Sequence, residues 1–220
     1  MPLTKKQLRM FTEDGLSIHK LCSTTEGLQL WINNQGPVRR ARNIYLANQE
    51  IEPTTTYYVT GFQAFRAAVL LAQQLFPDFD YNTNLCYQVE PSGKRFQHYD
   101  GEPVLIWCDY NSQRLSKKDS VSGFNEMFNP DNHSRGVDGT LVQKVNIILS
   151  NESFEEFVDT VVQTDVKRYK SNADDIRAQI CRRIPFVVNV ESDGYTVSEG
   201  NASGYTVNKK VTLPNDWWVK

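Results

Sequence analysis

Cysteine is scarce and scattered in this chain of 220 residues. Cys22, Cys86, Cys108 and Cys181 lie far apart, with no C-x-x-C pair, which argues against a zinc site. Two of them fall in apolar, strand-like surroundings, where a free thiol behaves as a small hydrophobe. An excess of either charge is also lacking. Against 24 Lys and Arg stand 26 Asp and Glu, a net charge of -2. Any nucleic-acid contact must therefore come from local basic clusters and not from the field of the whole protein. No apolar run approaches membrane-spanning length, and no signal peptide precedes the first charges. No internal repeat is visible. The expectation is a soluble, reduced, cytoplasmic chain, long enough for one large core with a small helical appendage.

What is present begins with helices. Residues 4 to about 50 read as helical, starting with a short helix that carries Leu8 and Phe11 and breaks at Asp14-Gly15. Leu28, Leu30, Trp31 and Ile32 form a second apolar patch, ended by Asn33-Asn34-Gln35-Gly36. Pro37 opens a third helix in the first turn, where proline is tolerated. Its Arg39, Arg40 and Arg42 read as a solvated face in preference to a phosphate grip.

Thr54 to Thr60 is dense in β-branched and aromatic residues and closes on Gly61, a strand running into a turn. A helix follows at once through Ala67, Ala68, Leu70, Leu71 and Leu75, stopping before Pro77. Strand, glycine, helix is the context of a phosphate-binding loop. Such a loop wraps phosphates in glycine backbone N–H groups, sets a lysine on the β/γ charge and a hydroxyl on Mg²⁺. Here Gly61 is followed by Phe62-Gln63-Ala64-Phe65-Arg66, without lysine or hydroxyl. Arg66 keeps a positive charge, though a guanidinium fork does not replace a compact ammonium. Without further context this is an ordinary strand-to-helix connection.

Leu85 to Val89 reads as a second strand, and Val104-Leu105-Ile106-Trp107 as a third, ending on Cys108-Asp109. An unbroken apolar run suits a strand buried on both faces of a parallel sheet. An acid at its exit stands where α/β proteins bind ligands, a frequent position for Mg²⁺; a plain core strand and a solvated turn acid would read alike. The polar segment from Asn111 to Gly139 carries Lys117, Lys118, His133 and Arg135, and a connection of that length is usually functional or partly disordered. Val145 to Ser150 is another buried-type strand, with Asn151 at its end. Ser153 and Glu156 make a capping box for the next helix. Lys167, Arg168 and Lys170 form one basic patch, Arg177, Arg182 and Arg183 another, before a last apolar strand from Pro185 to Val190. Beyond Glu191 the chain is rich in Gly, Ser and Asn and reads as a loose tail, until Trp217-Trp218, which would dock on the domain or on a partner.

The order of these features resembles the superfamily 3 helicase domain of rolling-circle replication initiators, from plasmids and small single-stranded DNA viruses, in particular the Rep family of Gram-positive plasmids. Tyr99-Asp100-Gly101-Glu102-Pro103-Val104-Leu105-Ile106-Trp107 is similar to that family's Walker B region. Val145-Asn146-Ile147-Ile148-Leu149-Ser150 with Phe154-Glu155-Glu156-Phe157 resembles its "IN-IV-x-S/G-x-x-x-x-EEF" stretch, and Cys181-Arg182-Arg183-Ile184-Pro185 its "YRRFP". The likeness covers about residues 30 to 192. It implies a three-layer α/β domain of the P-loop NTPase type, with a mainly parallel sheet, over 51–192. A helical linker or oligomerisation region would occupy 1–50 and the loose tail 193–220.

The resemblance also implies roles. Asp109 would position Mg²⁺, Asn151 would sense the γ-phosphate, and Arg182 or Arg183 would reach a neighbour's nucleotide. Gly61 and Arg66 would stand at the ATP phosphates. Lys117, Lys118, His133, Arg135 and Lys144 would line a loop facing single-stranded DNA in a homo-oligomeric ring, or in co-assembly with a full-length initiator. The departures are specific. The G-x-x-G-x-G-K-S/T loop is missing its Lys and Ser/Thr, one of two acids is Cys108, and the endonuclease domain is absent. No His-hydrophobic-His pair exists among His19, His98 and His133, so nuclease chemistry is not expected. Two functions follow: a divergent replication helicase, or a catalytically silent relic that binds single-stranded DNA or joins full-length rings.

Overall fold

The computed structural model describes residues 3–50, 53–79, 84–89, 96, 98–108, 141–170, 172–201 and 204–212. Three helices come first: α1 (Lys5–Thr12), α2 (Ile18–Leu21) and α3 (Thr25–Ala47). Thr4 and Gln7 close a capping box at the start of α1, which satisfies N–H groups that the helix cannot bond itself. The expected break near Gly36 is a kink. Asn34 leaves helical geometry at φ -138°, and the helix resumes around Pro37, whose ring cannot supply an interior N–H. Asn34 Nδ2 donates to the Leu30 carbonyl at 3.1 Å, so side chain replaces ladder at the kink. Phe11, Leu21, Val38 and Ala41 form a small core of their own.

Five strands form the parallel part of one sheet: β1 (Thr55–Gly61), β2 (Cys86–Val89), β3 (Val104–Trp107), β4 (Val145–Ser150) and β5 (Phe186–Glu191). Their spatial order is β2-β3-β4-β1-β5. Alternation along β1 separates two cores, because successive side chains point to opposite faces. Tyr57 and Val59 pack with Ala67, Ala68 and Leu71 of α4 (Ala64–Leu75). Tyr58 faces the other way, its ring centroid 5.1 Å from that of Phe154 and 5.0 Å from that of Phe157. Those two belong to α5 (Phe154–Tyr169), which shares its core with Ile176 and Ile180 of α6 (Ala173–Arg183). Helix, sheet and helix make the expected three-layer α/β architecture with a mainly parallel sheet behind a helical region. Asn146, a polar residue inside β4, is fully buried and accepts from Trp107 Nε1 at 3.1 Å, which satisfies both atoms inside the sheet.

The segment expected as a loose tail is instead part of the sheet. The strands β6 (Gly194–Asn201) and β7 (Gly204–Thr212) add to β5 as an antiparallel hairpin. Its Gly, Ser and Asn content hides a set of anchors. Tyr195 is 2% exposed and donates to Gln74 Oε1 of α4 at 2.7 Å. Tyr205 covers the opposite face, donating to the Ile184 carbonyl at 2.7 Å with its ring 4.9 Å from that of Phe154. Trp217 and Trp218 lie outside the described residues.

Arg42 corrects the reading of a solvated arginine face. Arg40 is exposed, but Arg42 is buried and its Nε sits 2.9 Å from Asp100 Oδ1. Its other nitrogens donate to the carbonyls of Gly15 (2.9 Å) and Asp100 (2.8 Å). Asp100 Oδ2 in turn accepts the N–H groups of Ile18 and His19. One buried ion pair therefore fastens the helical region to the chain leading into β3. Burial outweighs the pull of the guanidinium and the N–H groups, so the Asp100 carboxyl sits above its ordinary value. Removing one partner would leave the other charge buried and unpaired.

Candidate functional site

The sheet order fixes where a ligand crevice would lie. From β1 the chain leaves to α4 on one face, and from the adjacent β4 it leaves to α5 on the other. Neighbouring parallel strands whose connections part in this way leave a crevice beyond their carboxyl ends. In the register, Thr60 is opposite Ser150, so Gly61 and Asn151 follow side by side at that edge. The strand β3 reaches it too, with Trp107 opposite Ile148.

The β1 exit is tight. Only Phe62 and Gln63 separate Gly61 from the first residue of α4. Gly61 takes φ +105°, and a Cβ there would lie 2.2 Å from the Val190 carbonyl oxygen. A side chain is thus excluded both by backbone conformation and by the approach of β5. Phe62 donates its N–H to that same oxygen at 3.0 Å, which pins the turn to the sheet. Gln63 follows in left-handed geometry, φ 53° and ψ 37°, as the N-cap of α4 with no side-chain cap. Phe65 stands 48% exposed on the first turn, and Arg66, half-buried, directs its backbone N–H to the Gln63 carbonyl.

Asn151 is exposed in the turn between β4 and α5. Around it Ser150 Oγ accepts the Glu152 N–H (3.2 Å), the Tyr58 hydroxyl donates to the Glu152 carbonyl (3.0 Å), and Ser153 with Glu156 caps α5. The capping N–H and hydroxyl of Ser153 hold the Glu156 carboxyl below its ordinary value. This turn is well anchored without any contribution from Asn151.

The remaining candidates divide between places. Arg182 and Arg183 end α6 and precede β5, so they stand at the amino edge of the sheet, a strand length of about 17–20 Å from the crevice. They donate locally, Arg182 to the Ala178 carbonyl and Arg183 to Gln179 Oε1, both at 3.4 Å. Lys144, just ahead of β4, shares that amino edge. The fold therefore brings Gly61, Arg66 and Asn151 to one end of the sheet and the arginine pair to the other. Asp109, Lys117, Lys118, His133 and Arg135 lie outside the described residues.

Magnesium-bound triphosphate is a poor fit to the described part of this edge. A two-residue turn pinned to Val190 offers no run of free N–H groups, and no ammonium or hydroxyl opens α4. Among the described residues no cluster of His, Cys, Asp and Glu is arranged to hold a metal ion, and no helix is long and apolar enough to cross a membrane.

The sequence reading overlooked Asp100 and Glu102 as a buried pair of acids. The signal was available: two acids flanking Gly101, in a stretch otherwise entering a buried strand. Both are buried, and the Asp100 N–H donates to Glu102 Oε2 at 2.8 Å.

No family model matches the chain, and no curated protein does. Among solved structures, the chain is similar to the VirB11 ATPase of the Brucella suis type IV secretion system, crystallised with sulphate. The TM-score is 0.34 and the identity 8%, over 100% of this chain and 68% of that one.

Proposed function

We propose that this chain is the helicase-type module of a rolling-circle DNA replication initiator whose nucleotide site no longer turns over, and that it acts by binding single-stranded DNA or by co-assembling with a full-length initiator. The observation that carries this reading is the juxtaposition of Gly61 and Asn151, each one residue beyond the Thr60–Ser150 pair, at the crevice between β1 and β4. There the motif set of the resemblance keeps its order, while the two-residue turn removes the loop that would hold phosphates. Arg182 and Arg183, at the far edge, support a role only toward another copy's site. The basic segment carrying Lys117, Lys118, His133 and Arg135, with Lys144 at its end, would supply the DNA contacts, and phosphate contacts of that kind weaken steeply with salt.

Hydrolysis in this class depends on positioning and on charge set against the transition state. Loss of one such contact typically costs about 3–4 kcal/mol, or two to three decades in rate. The missing lysine and hydroxyl, with Cys108 in place of an acid, leave no useful turnover. The purified chain should hydrolyse ATP no faster than Asp109→Ala, with or without single-stranded DNA, and should bind a labelled oligonucleotide with strong salt dependence. A DNA-stimulated ATPase rate that vanishes in Asp109→Ala would instead establish a working motor. Absence of oligonucleotide binding at low salt would remove the DNA half of the reading.

A further inference from the structure

The amino edge holds a second feature, unrelated to the phosphate-loop position. A pocket of about 310 Å³ opens beneath the α1–α2 connection, at the amino ends of β2 and β3, and is lined among others by Ser17, His19, Lys20, Phe79, Asn84 and Glu102. Its volume falls at the lower end of the range for small-ligand sites. The Arg42–Asp100 pair forms part of its wall, but both ions are engaged. Asp100 Oδ1 is bound by Arg42 and Oδ2 by the Ile18 and His19 N–H groups.

Glu102 is in a different position. It is 6% exposed, and its carboxylate accepts only backbone N–H groups among the described residues, that of Asp100 at 2.8 Å on Oε2 and its own. The nearby guanidinium is already committed to Asp100. Burial of this weakly compensated acid pushes it up to about 7. A carboxyl so placed gains from a ligand that brings a hydrogen-bond donor. The rest of the lining has complementary chemistry: Phe79 offers an aromatic surface, Asn84 an amide, and Lys20 with His19 stand exposed at the mouth.

We propose that this pocket binds a nucleotide through an amino-bearing base, whose exocyclic NH₂ donates to Glu102 while the ring lies on Phe79 and the phosphate meets Lys20 and His19. A carboxylate accepts from such amines in base recognition, and splayed bases stack on aromatic side chains. Thymine carries no exocyclic amine, and its one ring donor on that edge, the N3–H, lies between two carbonyl oxygens that a carboxylate repels. The pocket thus discriminates by base, unlike a backbone-tracking channel. The pocket is distinct from the Gly61 and Asn151 crevice, which lies at the opposite end of the sheet.

Calorimetric titration of the full chain at pH 8 with dAMP, dCMP, dGMP and dTMP, and with homopolymeric oligodeoxynucleotides of the same bases, tests it. Amino-bearing bases should bind at least tenfold tighter than thymine. Glu102→Gln should narrow that preference to less than threefold, and the exposed Lys20→Ala should weaken all phosphorylated ligands alike while leaving the base order intact. Far-ultraviolet circular dichroism identifies any variant that fails to fold, and Lys20→Ala on the rim keeps the test decisive in that case. If only oligonucleotides bind, with the same base order and the same loss in Glu102→Gln, the source of the nucleotide is polymer and the pocket assignment holds. Equal binding of thymine, an unchanged preference in Glu102→Gln, or no binding of either ligand form overturns it. Oligonucleotide binding that is retained without base preference overturns the pocket alone and leaves salt-dependent, base-independent DNA binding standing, whereas loss of all oligonucleotide binding removes both.

Discussion

Replacing Glu102 by glutamine should make the protein more stable at alkaline pH, the reverse of what removing a charged core residue usually does. Glutamine keeps the shape and an oxygen for the Asp100 N–H, and removes the ionisable proton. Burial raises the Glu102 carboxyl from 4.5 to about 7. Between those values the folded chain holds a proton that the unfolded chain has released. Stability therefore falls as pH rises from about 4.5 to about 7, and no further change comes from this group above that. At about 1.36 kcal/mol per pH unit, the span from 4.5 to about 7 amounts to about 3 kcal/mol. The Asp100 charge adds to the upward push on Glu102, and glutamine removes that repulsion as well. Glu156 shifts the opposite way, but both proteins carry it and it cancels in the difference. Urea unfolding of wild type and Glu102→Gln, followed by tryptophan fluorescence from pH ~4.5 to ~8.5, reads the effect directly. The two should be nearly equal in stability at the acid end, with the variant ahead by up to about 3 kcal/mol at the alkaline end, or about 6–12 °C in Tm for a chain of this size. A difference independent of pH, or a variant less stable at pH 8, would show that Glu102 is not a strained buried acid.

Gly61→Ala should lose more than about 3 kcal/mol in urea unfolding, since the Cβ meets the Val190 carbonyl at 2.2 Å and φ +105° is costly for alanine. Arg42→Met should cost about 3–5 kcal/mol by the same assay, because Asp100 stays buried without its partner; the double variant Arg42→Met with Asp100→Leu should recover part of it. Tyr205→Phe should cost only about 0.5–1.5 kcal/mol, the usual worth of one hydrogen bond, here to the Ile184 carbonyl. Thermal denaturation resolves a loss of that size, and a loss as large as that of Gly61→Ala would mean that the hairpin docks through more than its ring and hydroxyl.

The parts of the fold that were legible from sequence are those where burial and local propensity agree. Val104–Trp107 is an unbroken apolar run, Val145–Ser150 is apolar apart from Asn146 and Ser150, and both are buried along their whole length. The capping box at Ser153 and Glu156 was equally legible, because its signal lies within four residues. The hairpin from Gly194 to Thr212 was not. Its Tyr195 and Tyr205 anchors reach Gln74 and Ile184, contacts set by tertiary packing, and the intervening Gly, Ser and Asn suit a tail as well as an outer strand. Arg42 was misread for the same reason: on an isolated helix it is one of three similar arginines, and only the return of Asp100, 58 positions later, makes it a buried partner.

The phosphate-loop position shows a different relation between sequence and structure. The absence of lysine and hydroxyl was plain in the sequence, but their absence alone left open a longer loop rebuilt from other residues. The fold closes that option for the described backbone. Gly61 is held by its contact with Val190, Phe62 is bonded to the same carbonyl, and α4 begins two residues later. A point substitution of lysine for Gln63 or Ala64 would add a charge to this turn without lengthening it. Recovery of phosphate binding therefore requires inserted residues, glycines included, between Gly61 and Ala64, so that N–H groups now bonded or folded into the helix can turn toward a ligand.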